Sequence, residues 1–540
     1  MLRSPHYNDQ HVKVVEDMWK KDYSHRKAIS SFLKDVELGK KRLTSYPDRM
    51  TNTIRVEGVR GAGRHTGHHE GTTHPRPTVI NCYNGTKDHF ETLPIWWNEW
   101  MRFMFEDIVD LGTEFNSALH PHQLLRPIHR KKYPAISVDE ELVSLPLQTL
   151  TLSLFDAVLV NMMLSISIES DSDSTNNHNL SWHAIRQSTC AHMVWNKSAR
   201  TRQILEETYF DVDVLFLQEA SADFLYSMQS STIFKLLQPQ YSTPQQQQQQ
   251  QLPLFDNIRN QNSVVFVRRG SDIDRSTLLF ESTDLDLDSD YSTAVKDVSR
   301  EIEEYVSGLS QGDLYAVLID TSTTVVAELE ELDTATSTSS SSSSSAASTP
   351  LLARLFVSFH GDTNGLLSVP LLKGVQLWID SYLLDPQTPA RDRSQLDVHI
   401  GMDANTYGFT QSTSKQNQQG FLRVVVDDLK MTTYLGNIIS TPNQHRTTYN
   451  GRTFLQPQLN KAMTKEDVVH YGDRHLKDYV LFDGDRWIVI DVLRDNTGRK
   501  AYVEDMVYPT KDWPSDHAAI TCVLKRRREG SGGEKGSEEL

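Results

Sequence analysis

Short apolar runs recur through the C-terminal two thirds of the chain, each bounded by polar residues. Val214-Leu215-Phe216-Leu217, Asn262 to Arg268, Leu355-Phe356-Val357-Ser358-Phe359, Val480-Leu481-Phe482 and Ala518 to Leu524 have the length of strands. Several are apolar at nearly every position, as strands covered on both faces are. Between them, Arg200 to Thr208 places Ile204 and Leu205 on an inner face, and Val369 to Leu384 is an apolar segment of helical length. Strands alternating with helices predict an α/β sandwich.

The N-terminal third follows a different pattern. Val12 to Leu38 reads as a charged helix, and Ile95 to Phe105, with three tryptophans, as a buried one. Leu142 to Ile168 carries no lysine or arginine. Its alternation at Val143, Leu145 and Leu147, then at Leu150, Leu152 and Leu154, predicts strands. A helix entering the sheet is the alternative. Pro146, Gln148, Asp156 and Asn161 speak against a membrane span. Gln245 to Gln251 and Ser339 to Ser345 are homopolymers that bury no apolar area, so both are loops. The expected plan is an N-terminal region at 1–135, a catalytic domain at 136–525 with inserts near 244–252 and 334–349, and a flexible tail at 526–540.

Composition narrows the class. At 540 residues the chain has room for more than one domain, and 38% hydrophobic content is ordinary for a soluble protein. Three scattered cysteines argue against a disulfide framework and fit a reducing compartment. Met1 to Lys21 is too polar for a secretory signal, so the expected location is intracellular, cytoplasmic or nuclear, with no clear membrane anchor. A formal charge of −16 opposes a generally basic nucleic-acid surface but leaves room for a local basic groove.

The chemistry sits at the ends of the apolar runs. In chain order these ends carry Gln218-Glu219, then His360, then Asp403-Ala404-Asn405 after His399-Ile400-Gly401-Met402. Asp478 then opens a run, and Ser515-Asp516-His517 precedes the last one. A strand end places a side chain at the rim of a sheet, where a site can form. An imidazole beside a carboxylate is a poised proton acceptor. This ordered set resembles the endonuclease/exonuclease/phosphatase superfamily of metal-dependent phosphoesterases. The family pattern is Asn, Gln-Glu, His, Gly-Asp-x-Asn, Asp before a hydrophobic strand, and Ser-Asp-His. Five of its six elements occur here in order, the fourth with Met402 inserted between Gly401 and Asp403.

The resemblance implies a four-layer sandwich of two packed β-sheets flanked by helices, and a hydrolase that uses Mg²⁺, with Mn²⁺ as the alternative. It implies Glu219 and Asp516 as metal ligands. Asn179 is favoured for the first element, and His183 competes for it. Asp403 would orient or deprotonate a water. Asn405 and His360 would donate to the phosphate. His517 would contact the phosphate or carry a proton, with Asp478 on its other nitrogen. Between Asn405 and Asp478, Arg446 to Lys461 reads as a loop over the site, in which Arg452 and Lys461 are candidate phosphate ligands. Tyr407, Tyr449, Phe454 and Gln456 favour a nucleic acid or nucleotide partner through base stacking. An inositol phosphate or phospholipid substrate, or a binding protein that keeps the fold without turnover, are the competing readings. Protein partners are not indicated.

Overall fold

The computed structural model describes residues 54–56, 72–74, 76–78, 90–110, 118–125, 127–131, 138–142, 144–171, 191, 196–238, 261–274, 295–321, 351–408, 414–436, 445–449 and 474–527. The expected helix over residues 12–38 and both homopolymer runs lie outside these residues. The described residues fall into two units, divided between Asn196 and Lys197.

The N-terminal unit holds two short antiparallel pairs, β1 (Ile54–Val56) with β2 (Thr72–His74) and β3 (Val109–Asp110) with β4 (Ala118–Leu119). Its described α-helices are α1 (Leu93–Phe105), α2 (Val138–Leu142) and α3 (Ser144–Asp171). The Thr92 hydroxyl caps α1 by accepting from the Ile95 N–H, and Trp96, Trp100, Phe103 and Met104 form its buried face. The strands expected within 142–168 are replaced by α3. Its described buried positions, Ser144, Gln148, Thr149, Leu152, Ser153, Asp156 and Val160, recur at spacings of three and four, a helical and not an alternating period. Leu152 and Val160 pack against Trp96 and Trp100. Buried Asp156 accepts from Arg76 at 2.5 Å and from the Trp100 indole at 2.9 Å, so the acid in this leucine-rich segment is a paired core group. Among the described residues, no helix is long and apolar enough to cross a membrane.

The C-terminal unit is the expected sandwich. Its first sheet has the order β5 (Val214–Ala220), β7 (Asn262–Arg268), β6 (Phe234–Leu236), all antiparallel. The second has six strands in the order β12 (Thr432–Thr433), β13 (Asp478–Phe482), β11 (Leu396–Asp403), β10 (Ala353–His360), β9 (Leu314–Asp320), β8 (Val295–Asp297), with only β10 and β11 parallel. A long antiparallel pair, β14 (Trp487–Asp495) and β15 (Ala519–Arg526), completes the described strands.

Side-chain alternation on single strands builds the layers. Val265 and Val267 of β7 meet Val317 and Ile319 of β9 and Phe356 of β10 between the sheets. Val264 and Phe266 point the other way, onto Ile204 and Leu205 of α4 (Lys197–Thr208) and Phe224 and Met228 of α5 (Ala222–Met228). On the far side, Leu314, Ala316, Leu355, Val357 and Phe359 pack under α6 (Ser299–Glu303), α7 (Ser368–Leu384) and α8 (Gln418–Arg423). The order is helix, sheet, sheet, helix, and strands buried on both faces explain the continuous apolar runs.

Candidate active site

Strand register draws the polar ends together. In the parallel pair His360 stands opposite Asp403, and in the neighbouring antiparallel pair Asp403 stands opposite Asp478. Three polar residues therefore share one row across the end of the six-stranded sheet. The segment before β15 joins them through a backbone bridge between Thr448 and His517 and through the Ala518 N–H, which donates to Thr447 O at 2.8 Å. The Thr447 hydroxyl accepts from the Lys477 and Asp478 N–H groups at 2.9 and 3.2 Å, fixing the start of β13. From the other sheet, β5 brings Glu219.

The side chains form a continuous chain of contacts. His360 Nε2 lies 3.5 Å from a Glu219 carboxylate oxygen and 3.6 Å from an Asp403 oxygen. His517 Nε2 is 3.8 Å from the same Asp403 oxygen, and its Nδ1 meets both Asp478 oxygens at 3.0 and 2.9 Å. The Asn405 N–H and side-chain amide donate to Asp403 at 2.9 and 3.2 Å. Burial pushes the Asp403 pKa up, and the Asp478 charge adds to this against the opposing pull of His517 and His360. Burial disfavours the His517 imidazolium, but Asp478 and Asp403 outweigh it and raise the pKa to about 10.

The two sheets are pinned just beneath this row. The Gln218 amide crosses from β5 to donate to Ser358 Oγ at 3.0 Å and Gly401 O at 3.1 Å, while Ser358 Oγ donates back to Leu217 O at 3.0 Å. Gly401 faces Phe216 so closely that a Cβ would lie 2.2 Å from its ring. Met402 points to the opposite, helix-covered face. The inserted methionine thus shifts the glycine of the Gly-Asp-x-Asn pattern to the sheet-to-sheet contact. Glu219 and Asn405 have φ of 55° and 47°, a left-handed backbone that side chains rarely adopt and that clusters at functional sites. Gly365, at φ 72°, presses the loop after His360 onto the Ala404 and Asn405 carbonyls, where a Cβ would come within 2.6 Å of each.

Of the expected site residues, Glu219, His360, Asp403, Asn405, Asp478 and His517 come together. Among the described residues, Asp403, Asp478 and His517 form one compact group able to hold a metal ion, each offering one ligand atom within 4.8 Å of the others. Asp516, half-buried beside His517, is outside that group. Asn179, His183, Arg452 and Lys461 lie outside the described residues. Two aromatics expected to stack on bases are committed elsewhere. Tyr407 is buried with Lys415 3.6 Å from its ring centre, and Tyr449 is buried with the Arg474 guanidinium at 3.6 Å. One further charged residue neighbours the site. Lys477 is 4% exposed, and its charge acts on Asp403. Its position just before Asp478 signals this in the sequence.

A family model described as a domain of unknown function, DUF8234, matches residues 5–187. No curated protein matches the chain. Among solved structures, the chain is similar to D. rerio TDP2 complexed with single strand DNA product, at 10% identity and TM-score 0.29, over 62% of this chain and 92% of that one. It is similar to the human Nocturnin catalytic domain with bound sulfate anion, at 10% identity and TM-score 0.29, over 62% and 87%. A third similarity is to an endonuclease/exonuclease/phosphatase family protein from Bacteroides thetaiotaomicron, at 11% identity and TM-score 0.30, over 63% and 92%. The chain's own layers describe an α/β sandwich of two packed β-sheets flanked by helices.

Proposed function

We propose that the C-terminal unit is a divalent-metal-dependent hydrolase of phosphoester bonds, with a nucleotide-containing phosphodiester as substrate. The observation that supports this best is the unbroken series Glu219, His360, Asp403, His517, Asp478, with successive contacts of 3.5, 3.6, 3.8 and 2.9 Å. Residues from both sheets meet there on a strained backbone.

The donor set fits a hard cation. It is rich in carboxylate oxygen, Glu219 is 46% exposed at a strand end, and buried Asp403 carries a carboxylate that a nearby positive charge would favour. Glu219 and Asp516 would hold Mg²⁺ or Mn²⁺, with Asn179 as the third expected ligand. Such an ion, when bound, supplies Lewis-acid neutralisation of the phosphate charge. The chain's own groups do the rest. Asp478 engages Nδ1 of His517, which leaves the Nε2 proton directed at the site to stabilise a phosphate oxygen or the leaving oxygen. Asp403, held by two donors from Asn405, is placed to aim and deprotonate a water. The Asn405 amide keeps a second N–H for a phosphate oxygen. His360, between Glu219 and Asp403, spaces the two acids and offers the phosphate a donor.

Hydrolysis of bis-p-nitrophenyl phosphate in Mg²⁺, Mn²⁺ or EDTA tests the class, and Glu219→Ala should abolish the metal-dependent rate with the fold intact. Absence of metal-dependent turnover on any phosphoester would favour a binding protein. Side-by-side turnover of single-stranded DNA, RNA, inositol polyphosphates and sphingomyelin tests the substrate. Faster cleavage of an inositol phosphate or lipid than of every nucleic acid overturns the nucleotide choice.

A further inference from the structure

Beside the Asp478–His517 pair lies a second concentration of charge that the proposed hydrolysis does not use. Arg446, Arg474 and Arg494 come from three separate segments. Arg474 stacks on Tyr449 at 3.6 Å and donates to its hydroxyl, and Arg494 lies 4.0 Å from the Tyr502 ring centre while donating to Arg446 O at 3.1 Å. The cluster abuts the site through its backbone. Tyr449 follows Thr448, which bridges to His517, and Arg474 lies in the segment leading into Asp478. Its acids are peripheral. Glu504, 56% exposed, pairs with Arg494 at 2.8 Å, and Asp505, 87% exposed, stands 3.7 Å from Arg474. The Arg446 guanidinium forms no ion pair among the described residues.

Among the described residues, the Nε–H groups of Arg446 and Arg474 are buried with no hydrogen-bond acceptor, and the buried hydroxyls of Tyr502 and Tyr508 have only each other as partners. Burying donors without acceptors is costly, and burying like charges together adds to the cost. Burial and the Arg446 charge both press Arg474 toward its neutral form. All of these costs fall when an oxyanion enters.

We infer that Arg446, Arg474 and Tyr502 form a second anion subsite, which takes a phosphate of the substrate other than the one being cleaved. This rests on the phosphoesterase reading above. The shared chemistry is an additional phosphate near the scissile bond. It is supplied either by the next phosphodiester of a strand or by a neighbouring monoester on a polyphosphorylated ring.

The test compares the full chain with Arg446→Gln and Arg446→Lys, using three substrates and one binding probe. The substrates are bis-p-nitrophenyl phosphate, a thymidine trinucleotide and an inositol polyphosphate. The probe is pyrophosphate, titrated calorimetrically in EDTA. A lost charge-assisted contact is worth about tenfold or more. In Arg446→Gln, the ratio of kcat/KM for the multiply phosphorylated substrates to that for bis-p-nitrophenyl phosphate should fall by that factor. Pyrophosphate affinity should fall equally, and Arg446→Lys should restore part of both. The substrate with the larger fall identifies the source of the second phosphate. Equal losses on all three substrates, or pyrophosphate binding indifferent to Arg446→Gln, overturn the subsite. If the wild type cleaves nothing, the enzyme reading fails alone, and the pyrophosphate titration still decides the subsite.

Discussion

Gly401→Ala should damage both stability and turnover, through one contact. The new Cβ would stand 2.2 Å from Cγ, 2.3 Å from Cβ and 2.6 Å from Cδ2 of Phe216. Carbon atoms pack at about 3.5–4.0 Å, so β5 and β11 must part by about 1 Å or more. The Phe216 ring has little freedom to yield, since it packs on Phe356 at 6.3 Å between the sheets. Overpacking of this kind costs about 1–3 kcal/mol and occasionally more. Neighbours fixed to two backbones put this case at the upper end, near 3 kcal/mol, which lowers the thermal midpoint by roughly 6–12 °C in a large domain. The chemistry is affected too, because Phe216 and Gly401 lie close before Glu219 and Asp403 on the same strands. A shift of about 1 Å in such groups costs on the order of 10²-fold in rate. Thermal unfolding by circular dichroism and turnover of bis-p-nitrophenyl phosphate are the assays. Phe216→Ala removes two of the three clashing atoms, so the double variant should be less destabilised than the two single losses combined. A wild-type midpoint and rate in Gly401→Ala, or strict additivity in the double variant, would refute the pinning contact.

Asp478→Asn and His517→Ala should each lower turnover by about 10²-fold or more while leaving the fold intact, and wild-type rates in Asp478→Asn would break the pairing. Buried Asp397 accepts from the Trp487 indole at 2.9 Å and from His399 at 3.0 Å. Burial alone would raise its pKa, but His399, Trp487 and Arg354 outweigh it and hold the pKa below the ordinary value. Its stabilisation is therefore present above the unfolded pKa of about 3.9 and lost as pH falls below it. Asp397→Asn should cost about 1–3 kcal/mol at pH 7 and flatten the loss of stability as pH falls below about 4, as denaturant melts would show. Deleting Gln245–Gln251 or Ser339–Ser345 should leave thermal midpoint and activity near wild type, because surface loop length changes closure entropy little; a large loss would mean the run is packed.

Much of the sandwich was legible because its strands are buried on both faces. Asn262 to Arg268 matches β7, and Val369 to Leu384 lies within α7. The site was legible for a related reason, since each polar residue sits where an apolar run stops. Leu142 to Ile168 misled because its buried stripe is largely polar, with Ser144, Gln148, Ser153 and Asp156 inside and Leu154 and Val158 outside. Periodicity of hydrophobicity carries no signal when leucines cover both faces. Tyr407 is occupied by Lys415 and, at 5.3 Å, by Lys477 from a separate segment, Tyr449 by Arg474, and the arginine cluster is assembled from three segments. Such neighbours are products of tertiary packing that spacing along the chain does not encode.

The antiparallel course of β9 and β10 fixes where this protein tolerates cargo. Their register pairs Ala353 with Asp320, at the end of the sheet remote from His360. Seven steps at about 3.3 Å put roughly 23 Å of strand between that edge and the chemistry. The segment that contains the serine run is flanked there by Thr321 and Leu351, whereas the one that contains the glutamine run is followed by Gln261, whose amide touches Glu219 at 3.3 Å. A fluorophore, affinity handle or fused domain belongs in the serine run, where it can grow without being felt at the acids.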